Sequence, residues 1–360
     1  MSVVRRAEAN LIPFKLDRPV GGSGVGLVDV IVVELEDADG VSGLGFSYVL
    51  GGGGGFALMA VRDQLARFIA GQPAIPPRAL WKRIYRTFNR SGLGPNLIGL
   101  AAVDTAGWDL HARRAGVPLG IAMGGEPRSV PVYGSGGFNT DQSAGEAADI
   151  ASGHLARGLR GVKPRVAGVP KDAEVLTAVR RAVGDAVHVM TDANEKCDLA
   201  SAQWLLNLAR DLGVLFVEEP LPSQAVNGYR LLKEATHVPI ALGEHMQDSA
   251  QLVALMAERT VSVIQPDLAM IGGLTPVLEL ALIAEALDVT VSPHFLHGLF
   301  VHIAASSLSL RWLEEFPLLE PLFEGWPLLA SDGTVSATER AGHGLSLSDC
   351  ARALLRGECL

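Results

Sequence analysis

The chain has 360 residues, 48% of them hydrophobic and 19% charged, with a formal net charge of -9. That composition describes a soluble globular protein with a large core, and the negative balance argues against nucleic acid or an anionic membrane as the main partner. Three scattered cysteines (Cys197, Cys350, Cys359) without a CxxC pair exclude a disulfide framework and fit a reduced cytoplasm.

The N-terminal MSVVRRAEANLIPF lacks the apolar run of a signal peptide, and no later segment is long and apolar enough to span a membrane. Residues 28–48 read as a β-hairpin: VDVIVVELE and VSGLGFSYV flank the turn dipeptide Asp39-Gly40. Helical spacing follows near 56–70, 77–88 and 96–114, so strands first and helices after predict a small α+β domain. Two glycine-rich stretches, 19–24 and 51–55, match no GxGxxG strand-to-helix junction, which excludes dinucleotide binding. They read either as lids or as plain mobile loops.

From VPVYGS onward the pattern alternates strand and helix. Eight strands are predicted at 130–135, 160–165, 187–192, 214–219, 239–244, 261–267, 289–294 and 308–314. No clear amphipathic helix follows the eighth, and the tail through GHGLSL is expected to return to the first domain. The expected division is a capping domain over 1–125, a barrel over 126–325 and a C-terminal return over 326–360.

Six acids and one imidazole stand where apolar runs stop. VHVMTD ends on Asp192, VLFVEE on Glu218 and Glu219, PIALGE on Glu244, VSVIQPD on Asp267, VTVSPH on His294 and SLRWLE on Glu314. Each interval fits one strand and one return helix, and a (β/α) barrel brings such strand ends to one rim. Asp192, Glu218 and Glu244 end consecutive strands. Three carboxylates repel one another unless a cation holds them, and hard oxygen donors suit Mg²⁺, with Mn²⁺ as the alternative. Any one of them alone is more simply a solvated strand end. Glu219 is expected to point away, because adjacent strand positions face opposite sides.

Asp267 and His294 end neighbouring strands. A carboxylate on one imidazole nitrogen fixes the tautomer and makes the other nitrogen a general base. Glu314, with its pKa raised by burial among other acids, is expected to donate a hydrogen bond when protonated. In GVKPR, Lys163 and Arg165 share a face. Lysine can serve as electrophile or base, whereas arginine binds anions and is a poor proton acceptor. Pro164 between them is expected to end or bulge the ladder. Ser135 and Asn194 are candidate substrate contacts; His245 and His297 are weaker ones.

Taken together, the ordered set KxR, TDAN, VEEP, GEH, QPDLAMIGG, SPH and WLE resembles the enolase superfamily and, within it, the mandelate racemase subgroup. The similarity spans nearly the whole chain, from GLGFSYV and AAVDTAGWDLHA to RWLEEFPLLEP. The resemblance implies a (β/α)7β modified TIM barrel with an N-terminal α+β capping domain whose loops near 18–26 and 48–56 close over the substrate. It implies Mg²⁺ on Asp192, Glu218 and Glu244, an Asp267–His294 base dyad, and Lys163 and Glu314 on a substrate carboxylate, with Ser135 beside them. It also implies a homo-oligomer.

Arg165 departs from that pattern, since racemases of the subgroup carry a second lysine there as the base on the opposite face. Dehydration needs only one base. A pocket offering Arg165, Asn194, His245 and Ser135 suits a polyhydroxy small-molecule carboxylate, so an acid sugar hydro-lyase is expected. The alternatives are a racemase or epimerase of an α-hydroxy acid and, more remotely, a non-catalytic barrel that binds metal and ligand. Cycloisomerases resembling muconate lactonising enzymes carry a lysine after the sixth strand, which Asp267-Leu268-Ala269 lacks.

Overall fold

The computed structural model describes residues 2–21 and 23–358; Cys359, and Gly22 of the first glycine-rich stretch, lie outside them. Val4–Val20, Val25–Asp37 and Ser42–Leu50 form one antiparallel sheet in that order. Alternation along these strands assigns each face a partner. Val28, Val30, Val32, Leu44, Phe46 and Tyr48 join the core shared with the barrel, whereas Ile31, Val33 and Leu35 join a separate core with the helices Gly54–Phe68, Pro77–Tyr85 and Gly94–Ala115.

The long helix Gly94–Ala115 lies against the sheet because Gly43 and Gly45 have no side chains. A Cβ on Gly45 would stand 2.2 Å from the carbonyl oxygen of Ala102, and one on Gly43 would stand 2.5 Å from that of Ala106. The three helices sit where the spacing predicts. The strand Val4–Val20 was not among the predicted elements. Many of its residues are partly or fully exposed, and Arg, Glu, Asn, Lys and Asp along it leave only the short apolar run LIPF, interrupted by Pro13.

Eight parallel segments close the barrel: Val130–Gly134, Gly161–Val162, His188–Val189 with Thr191–Asp192, Val217–Glu218, Ile240–Leu242, Val263–Ile264, Thr290–Val291 and Leu313–Glu315. A Val291–Leu310 bridge and the pairing of Glu314 with Tyr133 complete the ring. Hydrogen-bonded strands are shorter than the apolar runs suggested. The second ladder stops at Val162, just before Lys163-Pro164, and touches the third again only through an Arg165–Asp192 bridge. Tyr133, Met190, Phe216, Ala241 and Val263 pack together as a small cluster among the barrel strands.

Cap and barrel interlock through several polar contacts, two of which show how. Asp104 of the cap accepts hydrogen bonds from Thr275 N at 2.7 Å and Thr275 Oγ1 at 2.6 Å. It thereby caps the barrel helix Leu274–Ala286, whose own N-cap, Gly273, has no side chain to do so. In the second the tail reaches the cap sheet. His343 Nε2 donates to the carbonyl of Leu44 at 2.8 Å, and Asp109 accepts from the amides of both His343 and Leu44 at 2.9 Å. The short helix Asp349–Leu355 follows. Among the described residues, no helix is long and apolar enough to cross a membrane, and Cys197 and Cys350 are free thiols.

Candidate metal centre and active site

Asp192 and Glu218 are the last residues of their strands, Glu244 lies two residues beyond Ile240–Leu242, and one carboxylate oxygen from each lies within 4.8 Å of the others. Asp192 Oδ2 and Glu218 Oε1 are buried without a hydrogen-bond partner. Arg165 Nη1 stands 3.0 Å from that Asp192 oxygen, outside hydrogen-bond alignment. Buried oxygens with unmet lone pairs, and no nitrogen or sulfur in the set, fit a hard divalent cation.

Burial pushes the Glu218 carboxyl well above its ordinary range, although Lys163 pulls it down. Glu244 is pulled the other way. Burial would raise it, but His294, His245, Lys163 and Arg165 outweigh that and hold it at about 2.

Lys163, almost wholly buried, pairs with Glu218 and lies 2.9 Å from Glu314 Oε1. Burial works to lower its pKa, yet Glu218 and Glu314 carry it well above the usual lysine value. Those two carboxylates favour the charged ammonium. Glu314 corrects the expectation of a protonated donor. Burial would raise it, but Lys163 and then His294 bring it down to about 2, and Phe295 N donates to its Oε2 at 3.1 Å. The buried ammonium directly on it favours the ionised carboxylate, and the sequence gives no sign of that pairing.

Asp267 and His294 meet as anticipated: Nδ1 lies 2.8 Å from Asp267 Oδ2. The other ring nitrogen, Nε2, is 3.7 Å from Glu244 Oε1 and so faces the carboxylate cluster. Burial would lower this imidazole, but Glu244, Asp267 and Glu314 raise it to about 10. The backbone beside these groups is strained. Asn194, Glu195, Glu219, Phe295 and Leu296 all adopt positive φ, between 31° and 62°, which non-glycine residues do at a cost of roughly 1–3 kcal/mol each.

The remaining candidates divide. Ser135 is buried with an unpartnered hydroxyl, and Asn194 is half-buried with its amide bonded to Asp192 Oδ1 at 2.8 Å. Arg165 also lies over the Phe316 ring, 5.9 Å from its centroid, and beside Gly21 of the first glycine-rich stretch. In the second stretch Gly51, Gly52 and Gly53 have φ of 80°, 99° and 95°, a succession that only glycine adopts readily.

His245 is already engaged. Its Nδ1 bonds Glu219 and its Nε2 lies 3.8 Å from Glu244, so burial's downward pull is outweighed and the ring is carried to about 9. Glu219 thus faces His245 and Gly243 N rather than the three-carboxylate cluster. His297 packs against Trp326, and burial takes it down to about 4.

Two residues at the site were missed. Gln265 Nε2 donates to Glu218 Oε2 at 2.8 Å; it stands in the QPD motif already singled out. Tyr48 reaches Asp267 from the cap. Alternation in GLGFSYVL places Tyr48 with Phe46 and Leu44, but no sequence signal names what that face covers.

Residues 3–124 match the mandelate racemase / muconate lactonizing enzyme N-terminal domain, and residues 146–351 match the enolase C-terminal domain-like family. A 3,6-anhydro-alpha-L-galactonate cycloisomerase of Streptomyces coelicolor is 30% identical over 323 residues, 89% of each chain. The L-talarate/galactarate dehydratase of Salmonella typhimurium is 31% identical over 333 residues, 90% of this chain and 82% of that one. The solved structure of L-talarate dehydratase from Polaromonas sp. JS666, complexed with Mg and L-glucarate, matches with a TM-score of 0.91 at 30% identity, over 98% of this chain and 97% of that one. With both halves matched in order over one cap and one closed barrel, the chain belongs to the mandelate racemase / muconate lactonizing enzyme family of the enolase superfamily.

Proposed function

We propose that the protein abstracts the proton α to a carboxylate, giving an enediolate, and expels a β-hydroxyl as water: a Mg²⁺-dependent acid sugar dehydratase, with Mn²⁺ as the alternative ion. What carries this reading is the seating of His294, oriented by Asp267 at 2.8 Å with its free nitrogen 3.7 Å from Glu244. The dehydratases among the relatives support it.

Asp192, Glu218 and Glu244 would hold the cation, whose positive charge supports the electrons that build up on the substrate carboxylate. Lys163 and Arg165 lie against those carboxylates, and from there they meet the substrate's carboxylate and hydroxyls. Glu244 is the strongest of the groups that raise the His294 pKa, and a cation held on that carboxylate would weaken its pull. His294 Nε2 then takes the α-proton and gives it to the departing hydroxyl, which leaves as water. The resulting enol tautomerises to a 2-keto acid. Glu314 steadies Lys163, and Ser135, Asn194 and His245 contact the substrate. The cap spans 1–125, the barrel 126–325, and residues 326–360 complete the cap; the chain is a cytoplasmic homo-oligomer.

A cycloisomerase among the relatives favours a second reading, in which the same proton transfer expels a tethered ring oxygen instead of free hydroxide. Screening mono- and diacid sugars with Mg²⁺ in D₂O separates the two. A 2-keto product that has lost water supports dehydration, and an isomer that has lost none, heavier only by solvent deuterium, supports the cycloisomerase. The His294→Asn variant is expected to lose about 10²–10⁴-fold in kcat. Unchanged turnover would remove the base from this scheme.

A further inference from the structure

Asp267 Oδ1 accepts from the amides of Ala269 at 2.8 Å and Met270 at 2.9 Å, which tie it to the first turn of Leu268–Ile271. Its Oδ2 receives two side chains: His294 Nδ1, and the hydroxyl of Tyr48. A carboxylate has about four acceptor sites, so every one is filled, and one of the four donors comes from a different domain. Tyr48 is 4% exposed. Burial and then Asp267 push its phenol well above the ordinary value, so the hydroxyl stays a donor. Its ring meets Phe295, the neighbour of His294, edge-on with centroids 4.9 Å apart.

We propose that Tyr48 of the cap is a positioning residue for proton abstraction: its hydroxyl shares Asp267 Oδ2 with His294 Nδ1 and fixes that oxygen, so that the imidazole is aligned only when the cap is seated on the barrel. This rests on the reading of Asp267–His294 as the base. The placement follows from the sheet. Gly43 and Gly45 turn one face of Ser42–Leu50 toward the cap helix, and period two turns Leu44, Phe46 and Tyr48 toward the barrel. Three residues after Tyr48 the chain enters the left-handed Gly51–Gly53 run. The strand that carries the hydroxyl thus also carries the glycine loop, and a shift of that strand is transmitted to the base. A small loss of alignment at the reacting atoms costs disproportionate rate.

The test is Tyr48→Phe, which keeps the ring, its contact with Phe295 and its volume. With the natural substrate found by the screen above, kcat is expected to fall about 10- to 100-fold with KM unchanged, because the hydroxyl is spent on Asp267. The isotope effect on kcat with α-deuterated substrate should rise, as proton abstraction becomes slower relative to other steps. In an Asp267→Asn background the same change should cost little more, because Tyr48 acts through that carboxylate. Tyr48→Met fills the space without a hydroxyl and gives the same reading should the phenylalanine variant misfold.

A kcat within about twofold of wild type, or full additivity with Asp267→Asn, overturns the inference. So does a raised KM at constant kcat, which would make Tyr48 a substrate contact. Unchanged turnover by the His294→Asn variant overturns the base dyad itself, and this inference with it.

Discussion

At the scale of single residues, Arg165 bears on which reaction the proposed site would run. It stands on the face of Asp192, 3.0 Å from Oδ2, and the surrounding carboxylates raise its pKa further. No proton can leave it at neutral pH. Arg165→Lys is therefore expected to add a second exchangeable position: α-deuterium should appear with inverted configuration in D₂O, at the expense of dehydration. Retention of configuration only would mean that the opposite face has no access to this position. The rim residues were legible because a strand that ends on an acid stands out against apolar runs, as in TDAN, VEEP and GEH. The charge states were not. Whether Glu314 is protonated depends on an ammonium 151 positions away, Lys163, and no local pattern announces that pairing.

Among the elements, the helix Leu274–Ala286 begins on Gly273 and borrows its cap from Asp104. Asp104→Ala should cost about 1–3 kcal/mol of stability in denaturant melts. Burial pushes Asp104 up to about 7. A carboxyl raised in the folded state favours folding fully below its unfolded pKa, near 4, and loses that contribution as pH climbs to about 7. Asp104→Asn cannot ionise, so its stability relative to wild type should improve steadily from pH 4 to 7. A flat difference would show that the carboxyl titrates normally. Close approach gives a second case. Gly45→Ala puts a methyl 2.2 Å from a backbone oxygen, and should destabilise by about 1–3 kcal/mol or more, while Gly55→Ala, with open space around it, should not. The helix at 96–114 was readable from its alanine and leucine spacing, but neither Asp104 nor Gly45 revealed its partner, because both contacts depend on tertiary docking.

For the whole molecule, the barrel was apparent from the strand–helix repeat and the acids that end its strands, its (β/α)7β form came from the resemblance, and the edge strand Val4–Val20 was hidden by its charges. The carboxylate cluster links fold to ion: Asp192, Glu218 and Glu244 come from three strands. Removing the ion with a chelator should abolish turnover and lower Tm, and Mg²⁺ should restore both. Saturation at about a hundred times Kd corresponds to about 2.7 kcal/mol. An unchanged Tm with retained turnover would dismiss a bound metal. The tie between His343 and Leu44 spans 299 positions, and it has a consequence for synthesis. As the ribosome threads the chain out from its N-terminus, the Leu44 carbonyl and the Asp109 carboxylate emerge long before the imidazole that answers them. Until residue 343 appears, the cap sheet holds a polar group meant for burial and must keep it wet. The nascent cap therefore stays provisional, and it becomes final only when the far end of the message has been read.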